Sequence, residues 1–206
     1  MSEEYDASSI VVLKGLEAVR KRPGMYLGDL KAPELSSRLL LQALCHAVDE
    51  IIDNNCTNIF IFIKNKTAEI TYDAGMPLEY DKEYQECPAA IIFLTLHSGC
   101  SNRKKHIEVG SEYCEIGLAT LNAVCLRLEV NIVQNGKTAK IVFNKGEMEE
   151  PFELKKSTEP DSTALLFELD PTIIEKTLFD TAIVEKRIKK LKGQYPKINI
   201  EFRHER

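Results

Sequence analysis

The chain has 206 residues, 44% hydrophobic and 29% charged, with 27 Lys and Arg against 32 Asp and Glu for a formal net charge of −5. This is the composition of an ordinary globular protein with one sizeable core or two small ones. It excludes a disordered chain and gives no electrostatic case for nucleic-acid binding, since a dedicated domain of that kind would be basic, so that any DNA contact is expected elsewhere. No run approaches a membrane span, and "MSEEYDASSI" lacks the basic and apolar segments of a signal peptide. Six cysteines without a C-x-x-C pair and four histidines completing no zinc pattern read as reduced thiols in a cytoplasmic protein.

The first element is a short helix within "SSIVVLKGLEAVRKR", with Ser8 and Ser9 as caps and "PGMYLGD" as the closing turn. Residues 39–55, "LLLQALCHAVDEIIDNN", predict one long helix. Leu40, Leu44, Ala47, Val48, Ile51 and Ile52 form its core face, and Gln42, His46, Asp49 and Asp53 align in a polar stripe. Spacing alone reads that stripe as a solvated surface. Next, "TNIFIFIKNKTAEITY" predicts a hairpin turning at Asn65 and Lys66, with Ile59, Ile61 and Ile63 on one face.

"PAAIIFLTLHSG" predicts a buried helix, followed by a long polar loop through "CSNRKKHIEVGSEYCE". "IGLATLNAVC" predicts another helix. The Asn135-Gly136 pair between alternating apolar runs is the strongest hairpin signal in the chain. A strand at "TALLFELD", a helix over "FDTAIVEKRIKKLKGQYP" ending near Gly193 and a strand at "KINIEFR" complete the series. The basic run "EKRIKKLKG" reads as the exposed face of an amphipathic helix in preference to a nucleic-acid patch. This order predicts an α+β fold in one domain, a mostly antiparallel sheet with helices on one face.

The run "KGLEAVRKRPGMYLGD", continued by "AVDEIID", "LHSG", "LNAV" and "NGK", closely resembles the N-terminal domain of the B subunits of DNA gyrase and topoisomerase IV over essentially all 206 residues. The resemblance implies the GHKL (Bergerat) ATPase fold, with ATP and Mg²⁺ as cofactors. Residues 1–15 correspond to an N-terminal arm and 97–117 to a lid-like loop, while the family's transducer and later domains lie outside the 206 residues. Implied partners are a gyrase A-like subunit and DNA through the full-length protein. A homodimer would form through the arm, marked here by Tyr5 and Ile10, and the transducer. The fragment alone is expected to be monomeric and off the membrane.

Within the resemblance, Gln42 stands where the family has the glutamate that acts as general base, so no catalytic position is intact. His46 stands where an asparagine coordinates Mg²⁺. A carboxamide does not take the proton of the attacking water, and imidazole is a poor ligand for a hard cation. The degenerate adenine and phosphate site comprises Asp73, Gly75, Thr163, Gly117 and Lys140. Asp73 matches the aspartate that faces the adenine amino group, and Gly75 the first following glycine, with Met76 and Pro77 departing from the pattern. Thr163 matches the adenine-side threonine, and Lys140 a rim arginine. In the lid only Gly117 keeps its glycine; Ser111, Glu112 and Glu115 replace others, and Ser101 and Glu108 replace lysines, although Arg103, Lys104, Lys105 and His106 keep positive charge nearby.

The implied function is therefore the ATPase-type domain of a type IIA topoisomerase subunit that has become a pseudo-ATPase. Two alternatives stand beside it. One is an active ATPase using Glu50, Glu112 or Glu115 as substitute base; the other is a binding module for another adenine-containing or small ligand.

Overall fold

The computed structural model describes residues 13, 15–83, 85–96, 98 and 115–205. Helices α1 (Glu17–Lys21), α2 (Gly24–Leu27), α3 (Leu35–Gln42) and α4 (Cys45–Ile52) precede the hairpin of β1 (Asn58–Lys64) and β2 (Thr67–Tyr72). Helices α5 (Pro88–Leu94) and α6 (Leu118–Val124) follow. Then come β3 (Cys125–Gln134), β4 (Lys137–Asn144), two short strands β5 (Glu147–Met148) and β6 (Lys155–Lys156), β7 (Ser162–Leu169), α7 (Thr181–Gln194) and β8 (Asn199–Glu205). Tyr5, Ser8, Ser9, Ile10 and the lid residues Ser101, Arg103, Lys104, Lys105, His106, Glu108, Ser111 and Glu112 lie outside the described residues.

The strands form one sheet in the order β5-β4-β3-β7-β2-β1-β8, with β6 also on β4. Pairings are antiparallel except β1 with β8. Strand alternation explains the layers. Ile59, Ile61 and Ile63 of β1, Ala68, Ile70 and Tyr72 of β2, Leu128, Val130 and Ile132 of β3, and Leu165, Phe167 and Leu169 of β7 all point into the buried core. They meet Leu39, Leu40 and Leu41 of α3, Ala47 and Val48 of α4, and Leu121 of α6 in one cluster. The expected Asn135-Gly136 turn is present, both residues having positive φ (51° and 74°) as a two-residue hairpin turn requires.

Two expectations are corrected. The predicted long helix is two helices, α3 and α4, separated at Ala43 and Leu44, where the backbone tightens to i→i−3 bonds (Ala43 N to Leu40 O and Leu44 N to Leu41 O, both 3.1 Å). The polar stripe is also not solvated: Gln42, His46 and Asp49 are each 1–2% exposed. Among the cysteines, Cys56, Cys87 and Cys125 are free and buried, whereas Cys45 is disulfide-bonded, so the reading of all six as reduced thiols fails there. No described helix is long and apolar enough to cross a membrane.

The N-terminal segment is fastened by one ion pair. Arg20 of α1 donates to the Ala123 carbonyl (2.8 Å) and to Asp170 Oδ2 (2.5 Å), joining the end of α6 to the end of β7. The Asp170 side chain is 1% exposed and its other oxygen accepts from the Thr172 amide and hydroxyl. Burial alone would raise its carboxyl, but these hydrogen bonds hold it below its ordinary value. Arg20→Ala leaves that carboxylate buried without its cation, so the expected loss is on the order of 3 kcal/mol. Urea unfolding of the two proteins checks this; a change below about 0.5 kcal/mol would show that the pair does not fasten the segment.

Candidate functional site

Gln42 ends α3 and turns its amide toward the start of α6. Its Oε1 accepts hydrogen bonds from the Ile116 and Gly117 amides, at 2.9 and 3.3 Å. Gly117 precedes α6 with φ of 82°, a conformation that favours glycine. The Gln42 side chain therefore anchors the entry of the chain into α6. Of the lid's proposed substitutes for a base, Glu115 is exposed and pairs with Arg38 at 3.3 Å.

His46, one turn further, points to β2. Its Nδ1 lies 3.1 Å from the Tyr72 hydroxyl, and its Nε2 lies 3.7 Å from Glu50 Oε1. Burial drives the imidazole pKa down to about 4 from 6.5, against the opposing influence of Asp49. The ring is thus neutral at pH 7 and exchanges one hydrogen bond with the phenol, as donor or acceptor according to its tautomer. Glu50 sits at the edge of this cluster and accepts from Asn55 Nδ2 at 2.8 Å.

Tyr72 was not singled out by sequence reasoning, yet it is the inward residue at the end of β2 and is 2% exposed. Asp73, one position on, engages the α4–β1 connection. Its two oxygens accept from the Thr57 amide and hydroxyl and from the Asn58 amide and side chain, all at 2.7–2.9 Å. Burial would raise this carboxyl; the bonds from Asn58 and Thr57 outweigh it and hold the group well below the usual carboxylate range.

Thr163 of β7 pairs with Tyr72 across the sheet, is fully buried, and donates its hydroxyl to the Ala74 carbonyl at 2.8 Å. Gly75 is needed for close packing, because a Cβ there would lie 2.2 Å from Gln134 Oε1 and 2.4 Å from the Val133 carbonyl. Lys140 is remote from these groups in function: it is outward on β4, pairs with Glu129 at 2.6 Å and lines a separate surface groove beside residues 149–153. Two polar links thus line the helix–sheet seam: Gln42 with the Ile116 and Gly117 amides, and His46 with Tyr72, which neighbours Thr163 across the strands. Outside it, a cavity of about 490 Å³ is lined by Glu50, Gly75, Pro77, Tyr80, Gln134 and Lys137, among others.

The architecture is that of a GHKL-type ATP-binding domain of a topoisomerase. A topoisomerase IV ATP-binding domain from Francisella tularensis, solved with a small-molecule inhibitor, matches with a TM-score of 0.77 over 94% of this chain and 92% of that one, at 24% identity. In sequence, the homologues of this chain are the B subunits of DNA gyrase and topoisomerase IV. The DNA gyrase B protein of Campylobacter jejuni is 33% identical over the whole chain, and that of Thermotoga maritima 31% identical over 97% of it. The corresponding DNA topoisomerase 4 protein of Mycoplasma genitalium is 29% identical over 98%. The chain spans 27–32% of the length of these relatives. No family model matches it.

Neutral burial of His46 gives stability a defined pH dependence. Between about 4, the folded value, and 6.5, the unfolded one, only the unfolded chain binds the proton. The contribution is fully present above 6.5, is lost as pH falls through that window, and is constant below it; its size is on the order of 3 kcal/mol. Urea midpoints measured from pH 7 to 4.5 should fall less steeply for His46→Gln than for the parent protein. Equal slopes would contradict the neutral assignment.

Proposed function

We propose that this chain is the nucleotide-site domain of a gyrase B-like type IIA topoisomerase protein whose site has become a closed structural seam that neither binds nor hydrolyses ATP. The observation that carries this reading is the hydrogen bonding of the seam. Gln42 holds the Ile116 and Gly117 amides, His46 meets Tyr72, Thr163 holds Ala74, and Asp73 is turned to Thr57 and Asn58. A ligand entering here has to break these bonds, and each buried group left unpaired costs roughly 1–3 kcal/mol.

The residues present do not fit ATP with Mg²⁺. A neutral, buried imidazole committed to a phenol is a poor site for a cation that takes oxygen ligands. Among the described residues no three His, Cys, Asp or Glu side chains converge as a metal site. The two backbone amides leading into α6, which would otherwise be available to an anion, already have Gln42 as acceptor. On the adenine side, the inward position at the end of β2 is filled by the Tyr72 ring, and Gln134 packs against Gly75 at the wall of the rim cavity.

An active site built on substitute residues is less well supported. Glu50 lies beside His46 and at the rim cavity, but its carboxylate is hydrogen-bonded to Asn55. Binding of some other small ligand would use that rim cavity rather than the seam. The complete protein would act in the cytoplasm with a gyrase A-like partner on DNA, the substrate that the names of its homologues state.

Phosphate release tests the reading. No turnover above a no-enzyme control is expected for this chain, nor for Gln42→Glu with His46→Asn, because base and metal ligand are supplied without room for the nucleotide. Adding Tyr72→Asp and a glycine- and lysine-bearing lid should be required before any activity returns. Turnover by the parent chain that Glu50→Gln abolishes, or full recovery in the helix double variant alone, would sink the proposal.

A further inference from the structure

Helix α7 carries a charge distribution that neither the seam nor the core requires. Val184, Ile188 and Leu191 are its buried face, fixed on the domain by Asp180, whose side chain accepts from the Ala182 and Ile183 amides and whose own amide donates to the Ser37 hydroxyl. The opposite face presents Ala182, Glu185, Lys186, Lys189, Lys190 and Gly193, all exposed. Across residues 181–197 the only acidic side chain, Glu185, faces Lys186, Arg187, Lys189, Lys190, Lys192 and Lys197, a local charge of +5 in a chain of −5. Lys186, Lys189 and Lys192 have no ion-pair partner among the described residues.

Net charge is the wrong measure for such a surface. Exposed charges further apart than about 10 Å are largely screened at 0.1 M salt, whereas α7 is roughly 21 Å long and concentrates its cations on one side. We propose that this exposed face of α7 docks on the phosphate backbone of double-stranded DNA. Lys186, Lys189 and Lys192 follow one another at three-residue spacing along the exposed side, so their ammonium groups can contact neighbouring phosphates together.

The chemistry favours a phosphate backbone over the other polyanion surfaces. A stable protein interface needs buried aromatic or aliphatic anchors, and this face offers only Ala182 and Gly193 between its charges. Insertion into a lipid surface needs an apolar face, which α7 has turned into the core. Lysines contribute point charges without fixed geometry, suited to sequence-independent contact. The choice of DNA over RNA rests on the topoisomerase reading above; the rest depends on charge placement and not on the state of the seam.

The test is fluorescence anisotropy of a labelled 20-base-pair DNA duplex with the whole chain at 50 mM salt. Binding is expected on the order of 10 µM, with a slope of about −3 in log affinity against log salt, as three or so phosphate contacts give. Lys186→Glu/Lys189→Glu/Lys192→Glu should weaken it at least tenfold, and the neutralising Gln triple by less. A control reversal at Lys145, Lys155 and Lys156 should change it less than twofold. Absence of binding, a triple Gln variant that binds like the parent, or a control reversal as damaging as the α7 one would overturn the proposal. Tighter binding to an RNA duplex or to polyglutamate would overturn the DNA assignment. So would a parent dimer in sedimentation that the α7 variants abolish, because the occupant would then be a second copy.

Discussion

The structure turns on the requirement that polar groups buried between a helix layer and a sheet find hydrogen-bond partners. The seam between α3, α4, β2 and β7 is lined with polar side chains. Here they satisfy one another and the backbone: Gln42 takes two amides, His46 meets the Tyr72 phenol, and the Thr163 hydroxyl reaches Ala74. A half-satisfied seam would be worse than an apolar one.

The side chains of the seam divide the work. Gln42, lacking a charge, can be buried at low cost while its carbonyl holds the entry to α6. An ionised glutamate enclosed in the same place would carry a larger desolvation penalty. His46 is kept neutral by burial, so its partner can be a phenol instead of a carboxylate. Tyr72 then adds aromatic bulk where β2 meets the helices, its ring centroid 5.7 Å from that of His46. On the far side Gly75 permits an approach to β3 that a Cβ would forbid.

Much of the fold was legible. The Asn135-Gly136 turn and the alternation of Ile59, Ile61 and Ile63 identify hairpins because a strand pattern of period two and a positive-φ turn have few other uses. The division between α3 and α4 was not legible: Ala43 and Leu44 carry no glycine, proline or capping signal. Spacing placed Gln42, His46 and Asp49 on one stripe but said nothing about what covers it, and the solvated reading failed for that reason. The site was legible in part. Gln42 and His46 are both buried at the helix–sheet seam, whereas Asp73 turns to residues 57 and 58 and Lys140 faces outward, as strand parity requires. Ala68, Ile70 and Tyr72 alternate inward on β2, which gives Tyr72 the inward position; Ala139, Ile141 and Phe143 do the same on β4, which sends Lys140 outward. That alternation is visible in the sequence and was the signal that could have found Tyr72. The hydrogen bonds of Asp73 to residues 57 and 58 had no such signal, because they join segments brought together by the hairpin.

Whether the seam is closed is read most directly at the Gly117 amide. Its resonance would be followed by two-dimensional ¹H–¹⁵N NMR during titration with a non-hydrolysable ATP analogue and Mg²⁺ to millimolar concentration. A closed seam leaves the amides of Ile116, Gly117 and Tyr72 unmoved throughout. Saturable, magnesium-dependent shifts at those three amides would show that nucleotide displaces Gln42 and enters, contrary to the proposal.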